Sequence, residues 1–193
     1  MLDTHGRKYM QPLIKYLADI CIKLGFSANG ITVIAFLLGL SASILIYIEF
    51  TVLGIIILWI SGLLDAVDGT IAREKGSSLF GALMDITFDR IVEIGLILVL
   101  AIKYPNHIFI LLLLTSSIII SMTIFLTVGS LSTKISEKSF YYQAGLAERT
   151  EGFIFFSSMV LFPQYLGMIT MIFTILILFT AGQRMYEASK ILK

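Results

Sequence analysis

The sequence predicts an all-α integral membrane protein, with six transmembrane helices preceded by an amphipathic helix lying along the membrane surface. Three observations carry that prediction. Of the 193 residues, 58% are hydrophobic and only 14% charged, with a mean hydropathy of +0.95, a balance that ordinary soluble domains do not reach. The apolar residues fall into six runs, near 30–49, 52–73, 80–102, 107–131, 152–165 and 166–186, and a spanning helix needs about 20 mostly apolar residues. With both termini on one side of this topology, twelve of the fourteen Lys and Arg lie there: Arg7, Lys8, Lys15, Lys23, Arg73, Lys75, Lys134, Lys138, Arg149, Arg184, Lys190 and Lys193. Lys103 falls opposite and Arg90 within a span. By the positive-inside rule the basic side is cytoplasmic, and residues 1–193 read as a single domain of the cell (plasma) membrane.

Each element has its own signature. Met10, Leu13, Ile14, Leu17, Ile20, Cys21 and Leu24 recur at helical spacing, opposite Lys8, Gln11, Lys15, Asp19 and Lys23. Residues 1–25 therefore read as an interfacial helix, not a signal peptide, which would need an apolar core in the first twenty residues. Gly25 and Gly30 break that helix, and Asn29 is the predicted N-cap of the first span. In the third span Arg90 and Glu93 are spaced to form an ion pair that lets both tolerate the membrane. Gly62 and Gly95 suit close helix packing. Thr70, Thr115, Ser116, Ser117 and Ser121 are predicted to return hydrogen bonds to their own helices. The short fifth span meets the sixth at a tight turn marked by Pro163, Gln164 and Gly167.

Four acids interrupt the apolar runs. Asp65 and Asp68 lie near the cytoplasmic end of the second span, Asp85 and Asp89 near the start of the third. A carboxylate in a bilayer costs about 2.5–3.5 kcal/mol, so four together call for a shared counter-ion. Residues three or four apart share a helix face, so two antiparallel helices can aim all four at one point. An all-oxygen ligand set suits Mg2+ or Mn2+, one ion or two, with two expected. The surrounding residues fit a bulky anionic ligand. Gly69, Ala72 and Gly81 leave space for a nucleotide, and Arg73 supplies a charge for its phosphates.

The run Asp65-x2-Asp68-Gly69-x2-Ala72-Arg73, a seven-residue spacer and Gly81-x3-Asp85-x3-Asp89 resembles the signature of the CDP-alcohol phosphotransferases at all eight fixed positions. The resemblance implies an enzyme of phospholipid biosynthesis that transfers the phosphatidyl group of a CDP-linked lipid, such as CDP-diacylglycerol, to a small polar alcohol, releasing CMP. It implies metal binding by the four aspartates and a general-base role for Asp89. It also implies contacts to the CDP-lipid from Asp68, Gly69, Ala72, Arg73 and Gly81, and a homodimer with its active site facing the cytoplasm. Many relatives read Pro-Asn-x-x-Thr before the first span; here Ala28 replaces the proline, while Asn29 and Thr32 match and join the expected CDP-lipid contacts.

The acceptor is less legible. Lys134, Lys138 and Arg149 are candidates for a phosphate on the alcohol, since Arg beside a helix N-terminus makes an anion site. As membrane anchors, with Glu148 and Glu151 as capping charges, they would take no part in the chemistry. Glu148-Arg149-x-Glu151 resembles a string of the inositol-phosphate branch but has Gly152 where a second arginine is expected, so glycerol 3-phosphate and inositol phosphate both stay open, as does an unphosphorylated alcohol.

Other classes fit less well. The net charge of +1 and the absence of a basic tract argue against nucleic acid. A single cysteine excludes a Cys-rich zinc site, and His5 and His107 lie far apart. A prenyltransferase would share the metal-binding acids but not the Gly69, Ala72, Arg73 context. An acid-lined cation transporter would not need its acids gathered beside an arginine.

Overall fold

The computed structural model describes residues 2–132, 145, 146 and 148–192. Lys134 and Lys138 lie outside the described residues. Among the described residues the regular structure is entirely helical, in line with an all-α integral membrane protein: α1 (Leu2–Lys23), α2 (Ala28–Tyr47), α3 (Thr51–Lys75), α4 (Leu79–Lys103), α5 (Ile108–Leu131), α6 (Arg149–Leu161) and α7 (Leu166–Ile191). Four helices, α2, α3, α5 and α7, are long and apolar enough to cross a membrane. α4 has the length, but Asp85, Asp89, Arg90 and Glu93 interrupt its apolar surface. α6 has 13 residues, about 20 Å at 1.5 Å per residue, short of the roughly 30 Å of a hydrocarbon core. It also ends earlier than expected, because Pro163–Tyr165 forms a 3-10 turn before α7.

The chain divides into two compact units, residues 7–103 and residues 1–6 with 104–193. In the first, α2, α3 and α4 pack through small residues. A Cβ on Gly39 of α2 would lie 2.6 Å from a Val92 methyl of α4, and one on Gly54 of α3 would lie 2.6 Å from Ile46 Cγ1 and 3.0 Å from the Ala42 carbonyl of α2. Gly95 meets Ser43 in the same way. Such contacts bring backbones close where lipid offers no hydrophobic drive for helix association. Ser61 Oγ then donates across the interface to the Ala35 carbonyl at 2.7 Å. Gly54→Ala is expected to cost about 1–3 kcal/mol, since the obstacle includes backbone. A detergent thermal melt that leaves Tm within a degree of the parent would contradict this packing.

Lys103, notable in the sequence only for lying opposite the other basic residues, closes the far end of this unit. Its Nζ donates to the Ile46 carbonyl at 2.9 Å and pairs with Glu49 at 2.9 Å, satisfying a carbonyl at the negative end of α2. Arg90 and Glu93 form the predicted ion pair.

Two local expectations are corrected. The N-cap of α2 is Ser27, whose Oγ accepts from the Gly30 amide at 3.1 Å; Asn29 is already inside the helix. The shorter serine side chain, one residue before the helix, reaches the first free amides directly. In α1 the buried residues are Ile14 and Ala18, packed on Ile31, Val67 and Ile71 with Leu17, Cys21 and Ile22 beside them. Met10, Leu13 and Leu24 of the predicted stripe are exposed. Ala18 is fully buried in that cluster although it is small, which a hydropathy pattern does not weigh.

In the second unit α7 packs against α5 and α6. Phe155 stacks on Phe173 with ring centroids 4.7 Å apart, and Phe156 meets the same ring edge-on. Thr115, Ser116 and Ser117 return hydrogen bonds to their own helix as expected. Ser121 does not: it accepts from Arg184 of α7 at 3.2 Å.

Candidate functional site

α3 and α4 are consecutive and antiparallel, joined by residues 76–78, so the end of one and the start of the other share one end of their unit. Gly76 makes the reversal possible, with φ 105° at the C-cap of α3, a conformation that side chains with a Cβ resist. Ser78 restarts the chain as a helix, its Oγ accepting from the Gly81 amide at 2.9 Å. The three turns of each helix that flank this connection carry the acids.

Three of the four aspartates converge. Asp65, Asp68 and Asp85 each offer a carboxylate oxygen, and these oxygens lie within 4.8 Å of one another. Opposite ligands on an octahedral magnesium-sized ion sit about 4.2 Å apart, twice a bond of about 2.1 Å. Neighbouring ligands on the same ion sit about 3.0 Å apart, so the three carboxylates are gathered at the scale of one hard divalent cation and would close on it by moving inward. Asp68 is buried, and Asp65 and Asp85 are half-buried. Like charges gathered this closely away from bulk water repel each other strongly, which a bound cation relieves. Asp89, one turn further along α4 and half-buried, lies outside the group of three. The expected convergence of four is therefore one of three with a fourth a helical turn away.

The small residues separate into two kinds. A Cβ on Gly81 would lie 2.7 Å from Asn29 Oδ1 and 2.9 Å from Ser78 Oγ, so this glycine is required by the protein's own packing and brings Asn29 of α2 to the start of α4. A Cβ on Gly69 would meet only the tip of Arg73, at an ordinary 3.5 Å, among the described residues. Gly69 thus has no packing reason to lack a side chain, and its open surface, one residue from Asp68, is available to a ligand. Ala72 is half-buried and Arg73 exposed. Thr32 is buried, and its hydroxyl donates to the Ala28 carbonyl at 3.0 Å, and of the two expected contacts from α2, Asn29 is the one seen against Gly81.

The second unit holds the remaining candidate, Arg149, at the first position of α6 and 5.6 Å from the Phe153 ring centroid. The Glu148 side chain accepts from the Gly145 amide at 3.1 Å instead of capping α6. In the sequence Arg184 is only one of the twelve basic residues on the cytoplasmic side. It is buried, bonded to Ser121 and set 4.7 Å from the Phe125 ring centroid. The available signal was its position: an arginine just after the apolar run of α7 and in register with Thr180 faces the helical neighbour, not the water.

The chain is similar to known proteins over most of its length. Residues 26–181 match the CDP-alcohol phosphatidyltransferase family. The chain is 28% identical over 204 aligned positions to the inner membrane protein YnjF of Escherichia coli K12, covering all of this chain and 98% of that one. It is 37% identical over 98 positions to archaetidylinositol phosphate synthase of Pyrococcus horikoshii, half of this chain and 52% of that protein. Its fold is similar to that of phosphatidylinositol phosphate synthase from Mycobacterium tuberculosis, solved with CDP-diacylglycerol bound, at a TM-score of 0.74 and 19% identity over 92% of this chain and 94% of that one. The same enzyme has been solved with manganese and citrate. With a family match that spans most of the chain and a signature whose carboxylates converge, this chain belongs to the CDP-alcohol phosphatidyltransferase family.

Proposed function

We propose that the protein transfers the phosphatidyl group of a CDP-linked lipid to a small polar alcohol with release of CMP, as one catalytic domain of residues 1–193. The observation that carries this reading is the group of three carboxylates beside the open surface of Gly69 and the guanidinium of Arg73. Asp65, Asp68 and Asp85 would hold the divalent ions, Mg2+ or Mn2+. When bound, the metal withdraws charge from the pyrophosphate oxygens and stabilises CMP as it leaves. Gly69 and Ala72 admit the nucleotide against α3, Asn29 and Gly81 border it, and Arg73 donates to its phosphates.

Asp89 acts as the general base. It takes the proton of the acceptor hydroxyl as that oxygen attacks the lipid-side phosphorus. The new phosphorus–oxygen bond forms as the bond to CMP breaks, and CMP departs with the electron pair. Its place one helical turn beyond the group of three supports this role. A one-step displacement accounts for the reaction without a covalent intermediate.

The acceptor's phosphate, where it has one, is assigned to Arg149 with Lys134 and Lys138. Glycerol 3-phosphate and inositol phosphate are the first acceptors to test, the latter because relatives carry inositol phosphate synthase names. We further assign six spans, on the six apolar runs, a homodimer, on the family resemblance, and a plasma-membrane location with the site on the cytoplasmic side, on the asymmetry of Lys and Arg. The test is CMP release by purified protein with CDP-diacylglycerol and Mn2+ or Mg2+, across glycerol 3-phosphate, inositol phosphate, inositol and serine. Release that depends on both metal and one alcohol supports the reading. No release with any alcohol, from protein that binds the lipid, contradicts it.

A further inference from the structure

Thr70 occupies one of the positions that the eight-residue signature leaves open, and it is buried at 4% exposure next to an exposed arginine. Its hydroxyl has one proton, and that proton goes to the Ala66 carbonyl one turn back at 3.0 Å. A threonine hydroxyl whose proton is committed presents only lone pairs elsewhere. Arg73 Nη2 donates to that oxygen at 2.9 Å. The other terminal nitrogen, Nη1, lies over Gly69, 3.5 Å from where a Cβ would stand. The guanidinium is therefore laid back along α3 across Gly69 and Thr70, immediately after Asp68.

From this arrangement we propose that Thr70 is a positioning residue, holding the Arg73 guanidinium over Gly69 so that it is already oriented for the phosphates of the nucleotide-linked lipid. The proposal rests on the functional reading above, which gives Arg73 its ligand. A long, solvent-exposed arginine otherwise samples many rotamers, and each must be given up when a ligand binds. An acceptor from the helix that carries the arginine reduces that loss, and it takes up only one of the five donors of the planar fork. Gly69 then has two uses: it leaves space for the ligand and for the guanidinium beside it. Burial of Thr70 keeps water from competing for the same oxygen.

Thr70→Val keeps the shape and removes the acceptor; Thr70→Ser keeps the acceptor. In CMP-release kinetics Thr70→Val is expected to raise KM for CDP-diacylglycerol about tenfold, the usual weight of a hydrogen bond to a charged group, with unchanged Mn2+ dependence and Tm. Thr70→Ser is expected to stay within about twofold of the parent. In an Arg73→Ala background Thr70→Val is expected to add nothing, because the group it positions is gone. An unchanged KM in Thr70→Val, or the same tenfold loss in the Arg73→Ala background, overturns the proposal. Direct binding of CDP-diacylglycerol to the same variants separates the two claims. Parent protein that binds the lipid without turning it over defeats the functional reading, while the binding ratio of Thr70→Val to parent still decides the positioning role. Parent protein that does not bind the lipid overturns both.

Discussion

Asp68→Asn is expected to lower turnover by on the order of a thousandfold and to abolish the dependence of CDP-lipid binding on Mn2+. Asp68 is the buried member of the group of three, within 4.8 Å of the oxygens of Asp65 and Asp85, so an amide there removes a charge that water cannot replace. The sign of the stability change is a second part of the same expectation. Without metal the substitution relieves repulsion among clustered carboxylates, so the metal-free protein is expected to melt at or above the parent's Tm. With metal the order reverses, because a ligand bound only to the folded state stabilises it by about 2.7 kcal/mol at a hundredfold excess over Kd, and the variant loses that gain. Thermal melts of parent and variant, each with Mn2+ and with chelator, measure both halves. A parent protein whose Tm does not respond to Mn2+ would contradict the assignment.

Asp89→Asn separates catalysis from binding. It keeps the shape and removes the ability to take up a proton, and loss of a general base costs about a hundredfold to ten-thousandfold. Because Asp89 lies a turn beyond Asp85 and outside the group of three carboxylates, the variant is expected to keep the parent's affinity for CDP-diacylglycerol and Mn2+ while its kcat collapses. Single-turnover CMP release together with lipid binding measures the split. Loss of metal-dependent binding in Asp89→Asn would place Asp89 among the ligands instead. Turnover near that of the parent would remove it from the mechanism.

The acids were legible in the sequence because their spacing is a property of the helix itself: residues three and four apart must share a face wherever the helices go. The connection between α3 and α4 was legible as the break between the apolar runs 52–73 and 80–102, whereas the stop at Gly76 and the restart at Ser78 emerged only from the structure. What depended on neighbours was not. Ser27 replaces Asn29 as the cap because the helix begins two residues earlier than the sequence pattern suggests. Ala18 is fully buried in the α1 contact although it is small, and a hydropathy pattern ranks it below Met10 and Leu13. Thr70 was expected only to bond its own helix. It does so, but its second contact depends on the rotamer of Arg73, which spacing allows and does not require. Arg184 was counted among the basic residues of the cytoplasmic side, since charge counting registers which end of a span an arginine occupies and not whether it faces a partner helix. Ser121, on that partner helix, was misassigned with it.

The reading of the carboxylates as a metal centre is tested most directly by anomalous scattering from crystals grown with Mn2+. Data collected on both sides of the manganese absorption edge are expected to show a peak bonded to oxygens of Asp65, Asp68 and Asp85, at about 2.1–2.2 Å, and no comparable peak in crystals of Asp68→Asn. A map from Mn2+-containing crystals with no manganese between these three side chains, or with manganese held elsewhere on the protein, would contradict the account.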